Sequence, residues 1–246
     1  MARLSRLSVA AVVHYVLQRG HNGGAIAHDD DDAGRLLQIL RESALSSGVA
    51  MHAYAVTTRE LRVLATPDSA IGISRMMQSL GRRYAALFNR RHGRSGALWD
   101  GRFRSALIES GAPTLLSLRH IDGLARLDGG AAADHGQLPT APDMGTSGAG
   151  IDAVLRSSVG HRIGGLRDAA LVDPDVYWQL GNTPFERESS YRALLAETLG
   201  EAERQALQRA VQGAWAFGSV RFIENLSART MRPLAPRPRG RPPRST

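Results

Sequence analysis

Cysteine and lysine are both absent from the 246 residues. Without cysteine the chain can form no disulfide, no thiolate metal site and no thiol nucleophile, which suits a reducing compartment. Aromatic residues make up only 5% of the sequence, so each of them has to be placed individually. No run of about 18 apolar residues occurs, and a membrane-spanning helix is not expected. The apolar stretch at 7–13 leads into the polar stretch at 14–22 with no small-residue cleavage site. The expectation is a cytoplasmic chain without a secretory signal. No glycine loop of the nucleotide-cradling type is present.

What is abundant is arginine. All 31 basic residues are arginine against 23 acidic ones, and the formal net charge is +8. A GC-rich coding bias accounts for the choice of arginine over lysine, but not for where the arginines sit. Residues 75–104 hold eight of them against one acid, Asp100, and residues 229–246 hold six against none. The rest of the chain is net acidic. Two concentrated basic segments suit a polyanionic partner.

Periodicity gives the elements. Val13, Tyr15 and Leu17 alternate with His14, Val16 and Gln18, which predicts a strand over 12–19 broken by glycines at 20–24. The aspartates at 29–32 precede a helical pattern at 33–47 and fit helix capping and dipole compensation better than a metal site. Leu36, Leu37, Leu40, Ala44 and Leu45 form its stripe, and Gly48 ends it. Segments 49–56 and 61–66 alternate about a turn, as a hairpin does. A second helix is expected over 70–91, with Ile73, Met76, Met77, Leu80, Tyr84, Leu87 and Phe88 on the apolar side and Arg75, Arg82, Arg83 and Arg90 off it. Tyr84 falls on the stripe and reads as core rather than nucleophile.

Turns, short extended pieces and a helical pattern at about 113–127 complete an α+β unit with an antiparallel sheet. Residues 128–150 are glycine-rich and aperiodic, as a linker is. Beyond them the patterns at 187–199 and 201–217 are helical, and the Pro/Arg-rich end from 233 is expected to be disordered when free. The organisation predicted is an α+β domain at 1–127, a linker at 128–150, a helical module at 151–230 and a basic tail at 231–246.

Several motifs occur in order along this frame. They are Leu17-Gln18-Arg19-Gly20-His21-Asn22, the hairpin from Met51-His52-Ala53-Tyr54 to Thr66-Pro67, Met77-Gln78-Ser79-Leu80-Gly81-Arg82-Arg83-Tyr84, Phe88-Asn89-Arg90-Arg91, and Gly93-Arg94-Ser95-Gly96-Ala97-Leu98-Trp99-Asp100-Gly101-Arg102-Phe103. A further match runs from Asp173-Pro174 through Tyr177-Trp178-Gln179-Leu180-Gly181-Asn182-Thr183-Pro184-Phe185-Glu186-Arg187-Glu188. With these the chain resembles the IS200-like, REP-associated tyrosine transposases, of the HUH type, over nearly its whole length. The resemblance implies a ferredoxin-like antiparallel sheet with packed helices. It also implies an activity on single-stranded DNA, in which two histidines at i and i+2 of one strand hold Mg²⁺ or Mn²⁺ and a helical tyrosine attacks the phosphate.

The sequence departs from the family at each of those positions. Counting back from Thr66-Pro67, the two histidine positions are Glu60 and Arg62; the nucleophile position is His120, and the metal-assisting asparagine position is Leu124. A guanidinium stays protonated and cannot ligate a cation, and leucine has no donor atom. The expectation is therefore a family relative that binds DNA without cutting it, needing no metal or other cofactor. Glu60 and Arg62 could pair across the vacated site, or Arg62 could grip a phosphate directly.

The DNA-binding features are better kept. Arg82, Arg83, Arg90, Arg91, Arg94, Arg102 and Arg104 cluster near Trp99 and Phe103, which suits phosphate clamping beside stacking faces for unpaired bases. In the tail, Pro238-Arg239-Gly240-Arg241-Pro242 resembles an AT-hook core, so Arg239 and Arg241 are candidates for an A·T-rich minor groove. The segment from Gly218 resembles the family's terminal helical unit. The partner expected is hairpin or single-stranded DNA, on the nucleoid, with a homodimer open. Two alternatives stand beside this reading: an active enzyme with relocated ligands at His14, His52 and His120, and a regulatory protein that has left DNA altogether.

Overall fold

A computed structural model describes residues 7–127, 154–165 and 167–236. The linker expectation at 128–150 and the AT-hook-like pair Arg239 and Arg241 lie outside the described residues.

The alternating segment forms strand β1 (Val13–Arg19), followed by a single 3-10 turn at His21–Gly23 and helix α1 (Asp30–Ser46). The hairpin is β2 (Val49–Thr57) and β3 (Glu60–Pro67), and the arginine-rich helix is α2 (Gly72–Arg91). Strand β4 (Arg104–Ile108) and helices α3 (Ala112–Asp122) and α4 (Leu124–Leu127) complete the first half. The second half contributes β5 (Val154–Ser157), the short α5 (Val159–Arg162) and α6 (Asp175–Trp178), α7 (Pro184–Ala196), α8 (Glu201–Gly213), β6 (Ala216–Phe217) and α9 (Val220–Thr230).

The protein is a mixed α+β fold built on one six-stranded sheet ordered β5-β2-β3-β1-β4-β6. The four inner strands are antiparallel, and β6 pairs parallel to β4. Segment 151–230 is thus not purely helical, since it supplies both edge strands. The helix expected to run to residue 217 stops at Gly213, because Ala214 turns into the left-handed region and Ala216 and Phe217 join the sheet. The Ala214 φ of 54° is where a helix ends, although the residue is not glycine.

Each sheet face has its own core. Val16, Tyr54, Val56, Leu61 and Val63 pack under α1 and α2, with Leu36, Leu40, Met76, Leu80, Tyr84 and Phe88. The Tyr84 hydroxyl donates to the Ile26 carbonyl at 2.6 Å, so this residue is core. Leu45, expected on the α1 stripe, is instead 86% exposed, because it lies about 100° around the helix from the buried Ala44, on the face of α1 turned from the sheet. Tyr15, Leu17, Ala53, Ala55, Leu64 and Ala106 face the other way, under α3, α7 and α8.

The capping reading of the aspartates holds and is incomplete. Asp29 accepts from Asp32 N at 2.8 Å as the N-cap of α1. The same acids reach across to α2: Asp29 pairs with Arg91 at 2.8 Å, while the fully buried Asp32 binds Arg91 and, at 2.8 Å, His92. Arg91, expected among the DNA-contacting arginines, is engaged in joining α1 to α2.

A buried ionic knot fastens the second half to the first. Arg162 is fully buried; its guanidinium lies 3.3 Å from Asp122 and 3.1 Å from Asp173 and donates to the His52 carbonyl. Asp122 also accepts from Tyr191 and from Ser158, each at 2.7 Å.

Candidate functional site

The strand register explains how distant residues meet. Across β1 and β3, Tyr15 lies opposite Leu64, Leu17 opposite Arg62, and Arg19 opposite Glu60. Directly opposed residues share a face, so Glu60 and Arg62 project on the side covered by α3 and α8. Helix α3 brings His120 over the same patch. The structure thus assembles Glu60, Arg62 and His120, and adds Tyr15, which the sequence reading had treated only as part of a strand. Leu124, at the start of α4, packs against the hydrophobic cluster of that face.

Each oxygen of the Glu60 carboxylate faces a guanidinium. One oxygen accepts from Arg62 Nε at 2.5 Å and the other from Arg19 Nε at 3.2 Å. Burial opposes the charge of Arg62, but the Tyr15 hydroxyl and the Glu60 carboxylate more than offset this and hold its pKa above that of a free guanidinium. Tyr15 is 1% exposed, and burial raises its pKa while Arg62 partly counters the rise. Its hydroxyl lies 3.0 Å from His120 Nδ1. The His120 pKa is lowered to about 3, first by burial and then by Arg62 and Arg204, which keeps the ring neutral.

A cavity of about 240 Å³ opens between this patch and α8, lined by Tyr15, Arg19, Arg62 and His120 on one side and by Gln208 and Gln212 on the other. Sequence periodicity gave no hint of the α8 wall. Its glutamines are ordinary for an exposed helix, and only the tertiary arrangement sets the half-buried Gln208 and the exposed Gln212 along the mouth of the cavity. Arg104 borders the area, donating to the Gln212 carbonyl.

The donor set does not fit a divalent cation. Both Glu60 oxygens are taken, Arg62 carries a permanent positive charge, His120 Nδ1 faces the Tyr15 hydroxyl, and Leu124 has nothing to donate. Among the described residues no group of three His, Asp or Glu side chains is placed to hold a metal. The relocated set is not assembled either. His14 and His52 sit on strands separated by β3, roughly 10 Å apart across two strand spacings. His14 Nδ1 engages the Val12 carbonyl at 2.7 Å, and its other nitrogen accepts from Val9 N at 3.3 Å. His52, the extra residue of a bulge in β2, bonds the Val172 carbonyl at 2.6 Å and Thr66 Oγ1 at 2.8 Å. What the pocket offers is net positive charge beside neutral donors, an arrangement that can receive a phosphate oxygen.

The α2 region divides into spent and open arginines. Arg83 pairs with Glu42, and Arg91 with the α1 aspartates. Arg94 lies 5.5 Å over the Phe88 ring. Arg82, Arg90 and Arg102 are exposed. The two aromatics expected beside these arginines are placed differently from each other. Phe103 is 8% exposed and belongs to the core, and Trp99 packs partly buried on α2 with its indole N–H donating to the Gly81 carbonyl at 3.0 Å. Gly20 of the early motif is needed for close approach: a Cβ there would lie 1.9 Å from the Gly24 carbonyl oxygen, while Gly20 N bonds Arg59 O at 2.8 Å and Gly20 bridges to Trp99.

No family model matches the sequence, and no curated protein matches it. Solved structures similar to the chain include the following two. One is a REP-associated tyrosine transposase bound to a REP hairpin, with 12% identity over 50% of this chain and 71% of that one, at a TM-score of 0.37. The other is a protein named as a candidate transposase, from Deinococcus radiodurans R1, with 19% identity over 44% of this chain and 88% of that one, at a TM-score of 0.35. No helix among the described residues is long and apolar enough to cross a membrane.

Proposed function

We propose that this protein is a DNA-binding relative of the REP-associated tyrosine transposases that holds hairpin or single-stranded DNA and does not cut it. The observation that carries the reading is the Glu60–Arg62 ion pair. It stands at the two positions where the family motif has metal-binding histidines, and it replaces a cation site with a built-in cation. His120 and Leu124 at the remaining two positions agree with it. The inner strand order β4-β1-β3-β2, connected β-α-β-β-α-β, supports the ferredoxin-like arrangement that goes with the resemblance.

Affinity would come from phosphate contacts. Arg82, Arg90 and Arg102 supply it from the α2 side, and Arg62 and Arg19 supply it in the pocket. The tail arginines Arg239 and Arg241 would add contacts in an A·T-rich minor groove, and the molecule would reside on the nucleoid.

The experiment is to incubate the full chain with a labelled hairpin bearing single-stranded arms, with and without Mn²⁺ or Mg²⁺. The expected result is a salt-dependent complex, no covalent protein–DNA product and an uncut strand. A covalent adduct would overturn the loss of cleavage. Affinity insensitive to salt would overturn the DNA contact itself.

A further inference from the structure

On the far side of the sheet edge, α9 borders a groove of about 430 Å³, within the roughly 300–1,000 Å³ range of sites that hold small organic units. Its floor is apolar, formed by the buried Leu226 and the partly buried Phe222, with the partly buried Val12 opposite. Its rim is a row of exposed polar side chains, Arg221, Asn225 and Arg229. The spacing i, i+4, i+8 aligns them on one face of the helix, the two arginines about 12 Å apart along its axis.

The two arginines differ from several of their counterparts on α2. Arg83 and Arg91 are neutralised by acids, whereas Arg221 and Arg229 make no ion pair among the described residues. One acid lines the groove: Glu109 accepts from Ser219 N at 2.5 Å and from Ser219 Oγ at 2.8 Å, which fixes its carboxylate at the N-terminus of α9, and the two arginines outnumber it. Glu224, the acid on α9 itself, stands one turn from Arg221 at i, i+3 and projects about 100° around the helix from Asn225. The row also leads directly into the arginine-rich segment that begins at Arg229.

We infer that this groove binds a short single-stranded nucleic-acid segment, with phosphates on Arg221 and Arg229, a base against Phe222 and Asn225 on the base edge. This rests on the DNA-binding reading above and adds a second contact surface to it. A single strand is the fitting occupant because the arginines line a recess with an aromatic floor, which suits stacking of an unpaired base. A duplex reader has to protrude into a groove of the DNA.

The test uses the full chain and two labelled substrates, a blunt hairpin and the same hairpin with a single-stranded arm. Arg221→Ala with Arg229→Ala should weaken binding of the armed hairpin at least tenfold, reduce its salt slope by about 1.4, and change blunt-hairpin affinity less than twofold. Both residues are exposed, so circular dichroism should stay that of the parent. Because the chain has no cysteine, Asn225→Cys accepts one fluorophore, whose emission should respond to the armed substrate and not to the blunt one. Unchanged affinity and slope in the folded double variant, or a silent probe, would overturn the groove assignment while leaving DNA binding through α2 intact. Parent protein that binds neither substrate would overturn both.

Discussion

The Tyr15 hydroxyl and His120 Nδ1 meet at 3.0 Å across 105 positions of sequence. The contact ties the centre of the sheet to α3, beneath a cavity lined by arginine. Tyr15→Phe should cost about 1–3 kcal/mol, since it leaves a buried ring nitrogen without its partner. Urea unfolding of the two proteins measures it, and a neutral substitution would mean that water replaces the hydroxyl there.

Glu60 and Arg62 are both largely withdrawn from solvent, with side-chain exposures of 10% and 15%. Breaking such a pair on one side should be worse than removing both charges. Glu60→Ala should destabilise by about 3 kcal/mol, while Glu60→Leu combined with Arg62→Met should lie within about 1 kcal/mol of the parent. A double-mutant cycle gives the coupling. Additive losses would show that the two side chains do not depend on each other.

Three buried histidines make stability sensitive to mild acid. His120 is lowered to about 3 and His14 to about 4, and burial lowers His52 as well, all from 6.5. The unfolded chain therefore takes up protons between pH 6.5 and 4 that the folded chain refuses. Stability should be fully present above about pH 6.5 and fall as the pH drops through that window, by about 2 kcal/mol at pH 5 for each of His120 and His14, with His52 adding in the same direction. His120→Gln should flatten part of the fall. Asp29, held at about 2 chiefly by Arg91, adds a loss only below about pH 4. Unfolding midpoints that do not change between pH 7 and 5 would contradict neutral burial of these rings.

Not all arginines of α2 should matter equally for DNA. Arg82→Ala with Arg90→Ala should lower the salt slope of binding by about 1.4–1.8, because each released phosphate contact removes roughly 0.7–0.9. Arg91→Ala should act mainly on stability, since its guanidinium already holds Asp29 and Asp32. Equal effects of the two changes on the salt slope would contradict this division.

The strand at 13–19, the hairpin, both long helices of the first half and the core role of Tyr84 are all legible as periodicity, because local alternation and the 3.6-residue stripe follow directly from burial. The candidate site was legible only in part. The positions 60, 62 and 120 follow from motif spacing, but their gathering around Tyr15 depends on strand register, and the α8 wall depends on packing over long separations. Charge was the least legible feature. Neighbouring arginines on α2 look alike in sequence, yet Arg91 finds acids 59 to 62 residues away while Arg90 stays exposed. The short strand at Ala216–Phe217 escaped notice because two residues carry no period.

Both outer strands of the sheet come from the C-terminal half, β5 beside β2 and β6 beside β4. A fragment ending near residue 127 would leave the backbone amides and carbonyls of β2 and β4 bare along two flanks, ready to zip onto other copies. The late segments act as bookends, and soluble monomer should accumulate only once the polypeptide has been synthesised through the last of them.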